Sequence, residues 1–407
     1  MRHHVLRSSL ALNLSLLCLF VGLASCDPNI PQLCDPTPQF DIEEFVNLME
    51  QQLIDDGVTG YQLAVSQNGN LYDTLSGGFA RHEDNGGEIL MNPETRLNVA
   101  SVSKLMAAIA LLKALEMKGL DPDDDMVSHL PESWKNAAHS KFRRQGSANL
   151  ISFRELTQMR TGFRFSQDGI ASTSTPSNDQ LLQVLTYEPT AKNAIYHNGN
   201  FCFIRVLIGE MIYNLDATAT DYNETCTEKF LEFIDQNLYE YAHNDQLRPP
   251  NTLDAYDNFY NWAHPWAYPY PFDPNNLNAW EADITRTKSI DNAGTSGMLL
   301  SAMDLASILA YTVHGKNGEI LSASSQEALL EDGNDMGFFN SIEGEHGFYH
   351  VKGGTKGPQS STGSALRSFV AVFPNGVEAV FITNCNYNQR DEVVVENFDK
   401  AWVNPCK

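Results

Sequence analysis

The chain has 407 residues, enough for one large domain or two to three ordinary ones with a substantial buried core. Hydrophobic residues make up 42% and charged residues 19%, which excludes the disordered and fibrous classes and fits a soluble globular chain. The formal net charge of −24 disfavours nucleic acid and anionic lipid as partners and says little about a reaction.

Residues 1–25 read as an export signal. Arg2 and Arg7 precede a short apolar run, Leu10 to Leu23, broken by Asn13, and Leu23-Ala24-Ser25-Cys26 follows. The run is too short for a transmembrane helix, and no later stretch approaches ~18 uncharged apolar residues. Leu-Ala-Ser-Cys resembles a bacterial lipobox, which implies a lipid on Cys26 and a place in the periplasm or on the cell surface. An ordinary signal-peptidase site is the alternative. The Pro-rich stretch 26–39 then serves as a short tether. Beyond the leader, which holds Cys18, and Cys26 itself, the cysteines at 34, 202, 226, 385 and 406 are irregularly spaced with no C-x-x-C pair, which argues against a metal site. Sequence leaves their connectivity open; Cys34 with Cys406 and Cys202 with Cys226 are the pairings to test first.

Asp41 to Asp56 places apolar residues at helical spacing and predicts an amphipathic helix. Tyr61 to Val65 and Leu71 to Leu75, flanking Gln67-Asn68-Gly69-Asn70, predict a hairpin with an Asn-Gly turn. A helix is expected from about Ser101 to Lys118, ending at Gly119. The stretch from 120 to 245 is mostly helical in pattern, most clearly at Phe201 to Ile212 and Thr227 to Tyr241. Pro249 to Trp280 is rich in proline and aromatics and reads as an irregular loop. Ser301 to Val313 returns to helix. A second hairpin, Ser368 to Phe373 and Val377 to Thr383, turns at Pro374-Asn375-Gly376, and an amphipathic stretch runs from Arg390 to Trp402. Strands at both ends with helices between predict an α+β domain over 40–407: one antiparallel sheet from both chain ends, with a helical insert at about 120–290.

Three short motifs carry chemistry. In Ser101-Val102-Ser103-Lys104, residues three apart share a helical face, so hydroxyl and amine come within hydrogen-bond reach. A lysine buried there loses its proton readily and becomes a base. A chain of this composition holds roughly one S-x-x-K by chance, so alone the motif equally describes a serine cap beside a solvated lysine. Tyr196-His197-Asn198 offers a phenol to carry a proton and a carboxamide two residues on to orient Lys104 and the substrate. Tyr256-Asp257-Asn258 fits the same pattern, but only Tyr196 precedes a well-formed helix. In Lys352-Gly353-Gly354-Thr355, glycines let a strand edge approach substrate closely, and a backbone N–H there completes an oxyanion hole with that of Ser101.

In order and surroundings these motifs resemble the S-x-x-K, Y-x-N and K-T-G set of the penicillin-recognising serine enzymes, and in particular the class C β-lactamase-related serine hydrolases. Leu97 to Ala100, Leu156 to Gly162 and Ser296 to Ala306 look like connecting segments of that family, and the likeness covers roughly 40–400. The resemblance implies a β-lactamase/transpeptidase-like fold and an acyl-enzyme on Ser101, with Lys104 and Tyr196 sharing proton transfers and Asn198 orienting them. Lys352 supplies positive potential, Gly354 and Thr355 line the substrate, and neither cofactor nor metal is called for. The implied partner is a small-molecule or peptide-like acyl donor; oligomeric state stays open. G-x-S-x-G and H-E-x-x-H are absent, and His346 and His350 read as structural or surface residues.

One departure matters: Gly353 stands where K-T-G has threonine. The missing hydroxyl weakens binding of a β-lactam or D-Ala-D-Ala carboxylate by on the order of 1–3 kcal/mol. That favours an ester, amide or other D-amino-acid substrate, with β-lactamase or D-alanyl-D-alanine carboxypeptidase as alternatives. Thr355, Ser360 and Ser361 are candidates to compensate, and the aromatic loop Tyr256 to Trp280 either walls the cleft or covers the core elsewhere. A non-catalytic lipoprotein that captures cell-wall or glycan fragments is the competing class.

Overall fold

The computed structural model describes residues 37–143, 150–165, 175–242, 266–273, 279–281, 293–315, 320–339, 341–357 and 363–404. Phe40–Trp402 forms one unit, and Met1–Gln39 with Val403–Lys407 clusters as another. Of the second only the residues at its inner ends are described, so Cys26 and the Cys34–Cys406 pairing lie outside the described residues.

The larger unit is built on a seven-stranded antiparallel sheet. Its strands are β1 (Gly60–Gln67), β2 (Asn70–Arg81), β3 (Ile89–Leu90), β6 (Ile342–Gly344), β7 (Gly347–Lys356), β8 (Leu366–Val372) and β9 (Val377–Thr383), with β4 (Leu97–Asn98) and β5 (Leu299–Leu300) pairing apart from it. The order is β3-β2-β1-β9-β8-β7-β6. The first strand thus lies against the last, as the two-ended pattern predicts. Asn68 and Gly69, at φ +50° and +76°, make the tight turn between β1 and β2, which is why an Asn-Gly pair stands there.

The larger helices are α1 (Ile42–Asp55), α2 (Ser103–Lys118), α3 (Asn198–Tyr213), α4 (Tyr222–Asn237), α5 (Ala302–Val313) and α6 (Arg390–Lys400). Asp41 caps α1 by accepting the N–H groups of Glu43 and Glu44. Ser301 and Asp304 form a capping box on α5. Gly119 ends α2 at φ +66°.

Alternation along the strands feeds two cores. Val377, Ala379 and Phe381 of β9 face one side with Phe45, Met49 and Leu53 of α1 and Phe398 of α6. Val380 and Ile382 face the other, against α2, α3, α4 and α5. Leu105 to Leu112 of α2 are all fully buried, so this helix runs through the larger core and reads hydrophobic all round.

The aromatic segment falls mostly outside the described residues, Tyr256 included. In its described part Tyr268 is fully buried, and Trp266, Tyr270 and Phe272 pack on the α1/α6 side of the sheet; these residues cover core rather than wall a cleft. Cys202 and Cys226 are buried and not bridged to each other. Cys226 Sγ lies against Gly209, two turns along α3 from Cys202. That separation, about 10 Å of helix rise, is beyond disulfide reach.

Candidate active site

The approach to Ser101 is a turn under strain. Ala100 has φ +48°, a left-handed conformation that an alanine adopts at a cost of about 1–2 kcal/mol. The buried Asn98 side chain, on β4, accepts the Ala100 N–H at 2.9 Å. The Val99 carbonyl accepts the Val102 N–H at 3.0 Å and the Ser368 hydroxyl at 2.7 Å, tying the turn to β8. Ala100–Val102 is therefore a single 3-10 turn, and α2 starts at Ser103, two residues later than its pattern predicts. The turn leaves the Ser101 side chain half-buried at the end of the helix.

Lys104 lies one helical turn on, buried to 1% exposure. Its ammonium donates to Ser101 Oγ at 3.2 Å and to the carbonyl of Thr295 at 2.8 Å. Burial pulls its pKa from 10.5 to about 7, outweighing the opposing pull of Cys202. Ser101 Oγ is also hydrogen-bonded to the Tyr196 hydroxyl at 2.8 Å. Lys104 Nζ stands 5.2 Å from the centre of the Tyr196 ring. Lysine and serine from one helical turn and tyrosine from a distant segment thus form one hydrogen-bonded line.

Tyr196 is placed by the segment that docks its neighbours. The Ile195 N–H donates to the Met159 carbonyl at 3.2 Å, and the His197 N–H to Met159 Sδ at 3.3 Å. His197 caps α3 through Nδ1 and stacks on Phe165 with ring centres 4.0 Å apart. Asn198 is the first residue of α3. The Tyr196 ring remains 38% exposed.

Lys352 comes from β7, where it pairs with Val370. Its Nζ lies 5.8 Å from the Tyr196 ring centre and 5.6 Å from that of Phe339, which packs edge-on to Tyr196. Burial lowers its pKa to about 8, with Tyr196 and Asp335 opposing and Lys104 adding to the shift. Gly354 faces the serine turn: a Cβ there would sit 2.6 Å from the Val99 carbonyl and 3.0 Å from the Ser101 nitrogen. Only glycine lets the strand come this close. Thr355 pairs with Arg367, and its hydroxyl accepts from that guanidinium at 2.5 Å.

At Gly353 a Cβ would meet Arg390 Nη2 at 2.7 Å. A guanidinium thus fills the space that a threonine side chain would need. Ser360 and Ser361 lie outside the described residues. His350 is buried between Asp332 and Asp335, and His346 stacks on Trp402.

Thr295, Phe339 and Arg390 escaped the sequence reading as site residues, and Asn98 entered it only as part of the segment leading into Ser101. The first acts through a main-chain oxygen, which no side chain announces, and the others carry no motif.

The β-lactamase family model matches residues 45–399. Among curated relatives, Protein flp of Staphylococcus aureus (strain MRSA252) is 20% identical over 242 residues, 56% of this chain and 45% of that protein. The chain therefore spans under half the length of that relative. Among solved structures, EstCE1, "a hydrolase with promiscuous acyltransferase activity", superposes with a TM-score of 0.61 at 17% identity over 89% of this chain and 99% of its own. A class C β-lactamase from Rhodobacter sphaeroides does so at 0.54 and 13%, over 88% and 99%. Identities this low speak to the fold, and the sheet order and α+β layering agree with it. With the family model spanning nearly the whole of the larger unit, the chain belongs to the β-lactamase family.

Proposed function

We propose that this protein is a serine hydrolase that forms an acyl-enzyme on Ser101. The observation that carries the reading is the line Lys104–Ser101–Tyr196, with hydrogen bonds of 3.2 and 2.8 Å and a buried amine whose pKa of about 7 leaves it half neutral at neutral pH. Neutral Lys104, with Tyr196, takes the proton of Ser101 as Oγ bonds to the acyl carbon. The oxyanion forms between the N–H groups of Ser101 and Thr355. Tyr196 then delivers a proton to the leaving group as its bond to carbon breaks, Lys352 holds positive potential over the site, and Asn198 orients Lys104 and substrate. Water, activated by the same pair, releases the acid and restores the serine.

The substrate class that fits is an ester, amide or D-amino-acid derivative, since Gly353 brings no hydroxyl to a carboxylate. The second reading, a β-lactam or D-Ala-D-Ala substrate, gains nothing from Arg390: its buried guanidinium beside Gly353 is held by the Ser368 carbonyl and paired with Asp391. The leader further suggests export, with a lipid on Cys26.

Intact-mass analysis of protein recovered from membranes, before and after a fluorophosphonate, reads both the Ser101 adduct and the lipid. Wild type gains one adduct and Ser101→Ala gains none, while turnover of p-nitrophenyl esters or nitrocefin falls by at least about 10³-fold. Unchanged turnover in Ser101→Ala would sink the proposal. An unreactive Ser101 in the wild type would instead support a non-catalytic, wall-binding lipoprotein.

A further inference from the structure

Beside Tyr196 lies a pocket of about 200 Å³ that the reaction outlined above does not use. Phe338, Phe339 and Phe348 wall it, Ala194 borders it two residues before Tyr196, and Arg160 and Asp335 supply its charges. Phe339 belongs to both sites, since the same ring stands edge-on to Tyr196 at 5.4 Å and 5.6 Å from Lys352 Nζ. The pocket therefore shares an aromatic wall with the site, on the Tyr196 side.

Its two charges differ in kind. Asp335 is buried, with His350 Nδ1 at 3.6 Å, and it acts electrostatically on Lys352, so its carboxylate already faces a protein cation. Arg160 is exposed, and its guanidinium makes no hydrogen bond or ion pair among the described residues. In a chain with 51 acidic and 27 basic residues, an unmatched arginine at the mouth of an aromatic pocket is a poor solubility device and a good anion reader. A cavity of ~150 Å³ accepts a benzene ring, so this one takes an aromatic or branched group of similar size.

We infer that this pocket is a leaving-group subsite for acyl donors whose departing part has an apolar body and ends in a carboxylate, read by Arg160. The inference rests on the acyl-enzyme reading but concerns specificity alone, and the two fail separately.

The test uses two esters with the same acyl group, phenyl acetate and 4-acetoxybenzoate, so that both give one acetyl-enzyme. Comparing each variant with wild type on each ester cancels the difference between the two phenols. Arg160→Ala should lower kcat/KM for 4-acetoxybenzoate about three-fold and Arg160→Glu about ten-fold, both leaving phenyl acetate within about two-fold. The advantage of the charged ester in wild type should also shrink as salt is raised from low to about 0.5 M. Equal effects on both esters, or none on either, overturn the subsite. So does a preference for 4-(trimethylammonio)phenyl acetate, which would make Asp335 the reader. Loss of both activities in wild type, with Ser101 unlabelled, would instead defeat the hydrolase reading.

Discussion

Lys104 is the residue on which the chemistry turns, and its environment sets the pH at which that chemistry runs. Its two hydrogen-bond partners, a hydroxyl and a backbone carbonyl, bring no full negative charge to offset burial, so the neutral amine is favoured until pH drops through about 7. The unfolded chain holds that proton up to about 10.5, so between these values it binds more protons than the folded one. Folding stability should therefore rise with pH across this window. For catalysis the sign is the same on the acid side, because the base form grows as pH rises through 7. Lys352 gives the opposite limb, its positive charge fading above about 8. The rate of Ser101 acylation should follow a narrow bell with limbs near 7 and 8, which are macroscopic values of the lysine pair. Lys352→Gln should lower the rate and remove the alkaline limb while keeping the acid one. A profile that stays flat from pH 6 to 9 would remove Lys104 from the role of base.

Among the elements, the 3-10 turn Ala100–Val102 holds the Ser101 nitrogen and hydroxyl in place, and a buried amide is what keeps it strained. Asn98 accepts the Ala100 N–H while its own Nδ2 finds no hydrogen-bond partner among the described residues. Leaving a buried donor unsatisfied costs about 1–3 kcal/mol, so the residue is there for the shape it imposes. Asn98→Ala should slow fluorophosphonate labelling about ten-fold with little loss of Tm. Adding Ala100→Gly should restore most of the rate, since glycine holds φ near +48° without help. Labelling at the wild-type rate in Asn98→Ala, or no recovery in the double variant, would show that the amide does not position the serine. This turn also marks what the sequence could and could not reveal. The hairpin at Asn68-Gly69, the caps at Asp41 and Ser301 and the end of α2 at Gly119 follow from local chemistry and were legible. The proximity of Ser101, Lys104, Tyr196 and Lys352 followed from motif order. A left-handed alanine, a carbonyl from Thr295 and a guanidinium beside Gly353 depend on segments far apart in the chain, and nothing in their residue types announces them.

Across the larger unit, the sheet separates stability from chemistry. Ser101, Lys104 and Tyr196 belong to the α2/α3 side, whereas the α1/α6 side is an aromatic cluster centred on Phe398. Phe398 stacks on Phe373 with ring centres 3.7 Å apart and meets Phe40, Phe45 and Tyr349 at 4.8–6.2 Å. Its cluster joins the first and last helices of the unit, so it closes a chain loop of more than 300 residues that no described disulfide closes. Phe398→Ala should cost about 3–5 kcal/mol, read as a lower denaturant midpoint with an unchanged slope. Active-site titration of the protein that remains folded should still give the wild-type labelling rate per site, because strands β7 to β9 lie between the cavity and the serine. If the rate per folded molecule falls along with the midpoint, the two faces are coupled through the sheet. Gly354, which seats β7 directly against the Ser101 nitrogen, would then be the point where that coupling reaches the site.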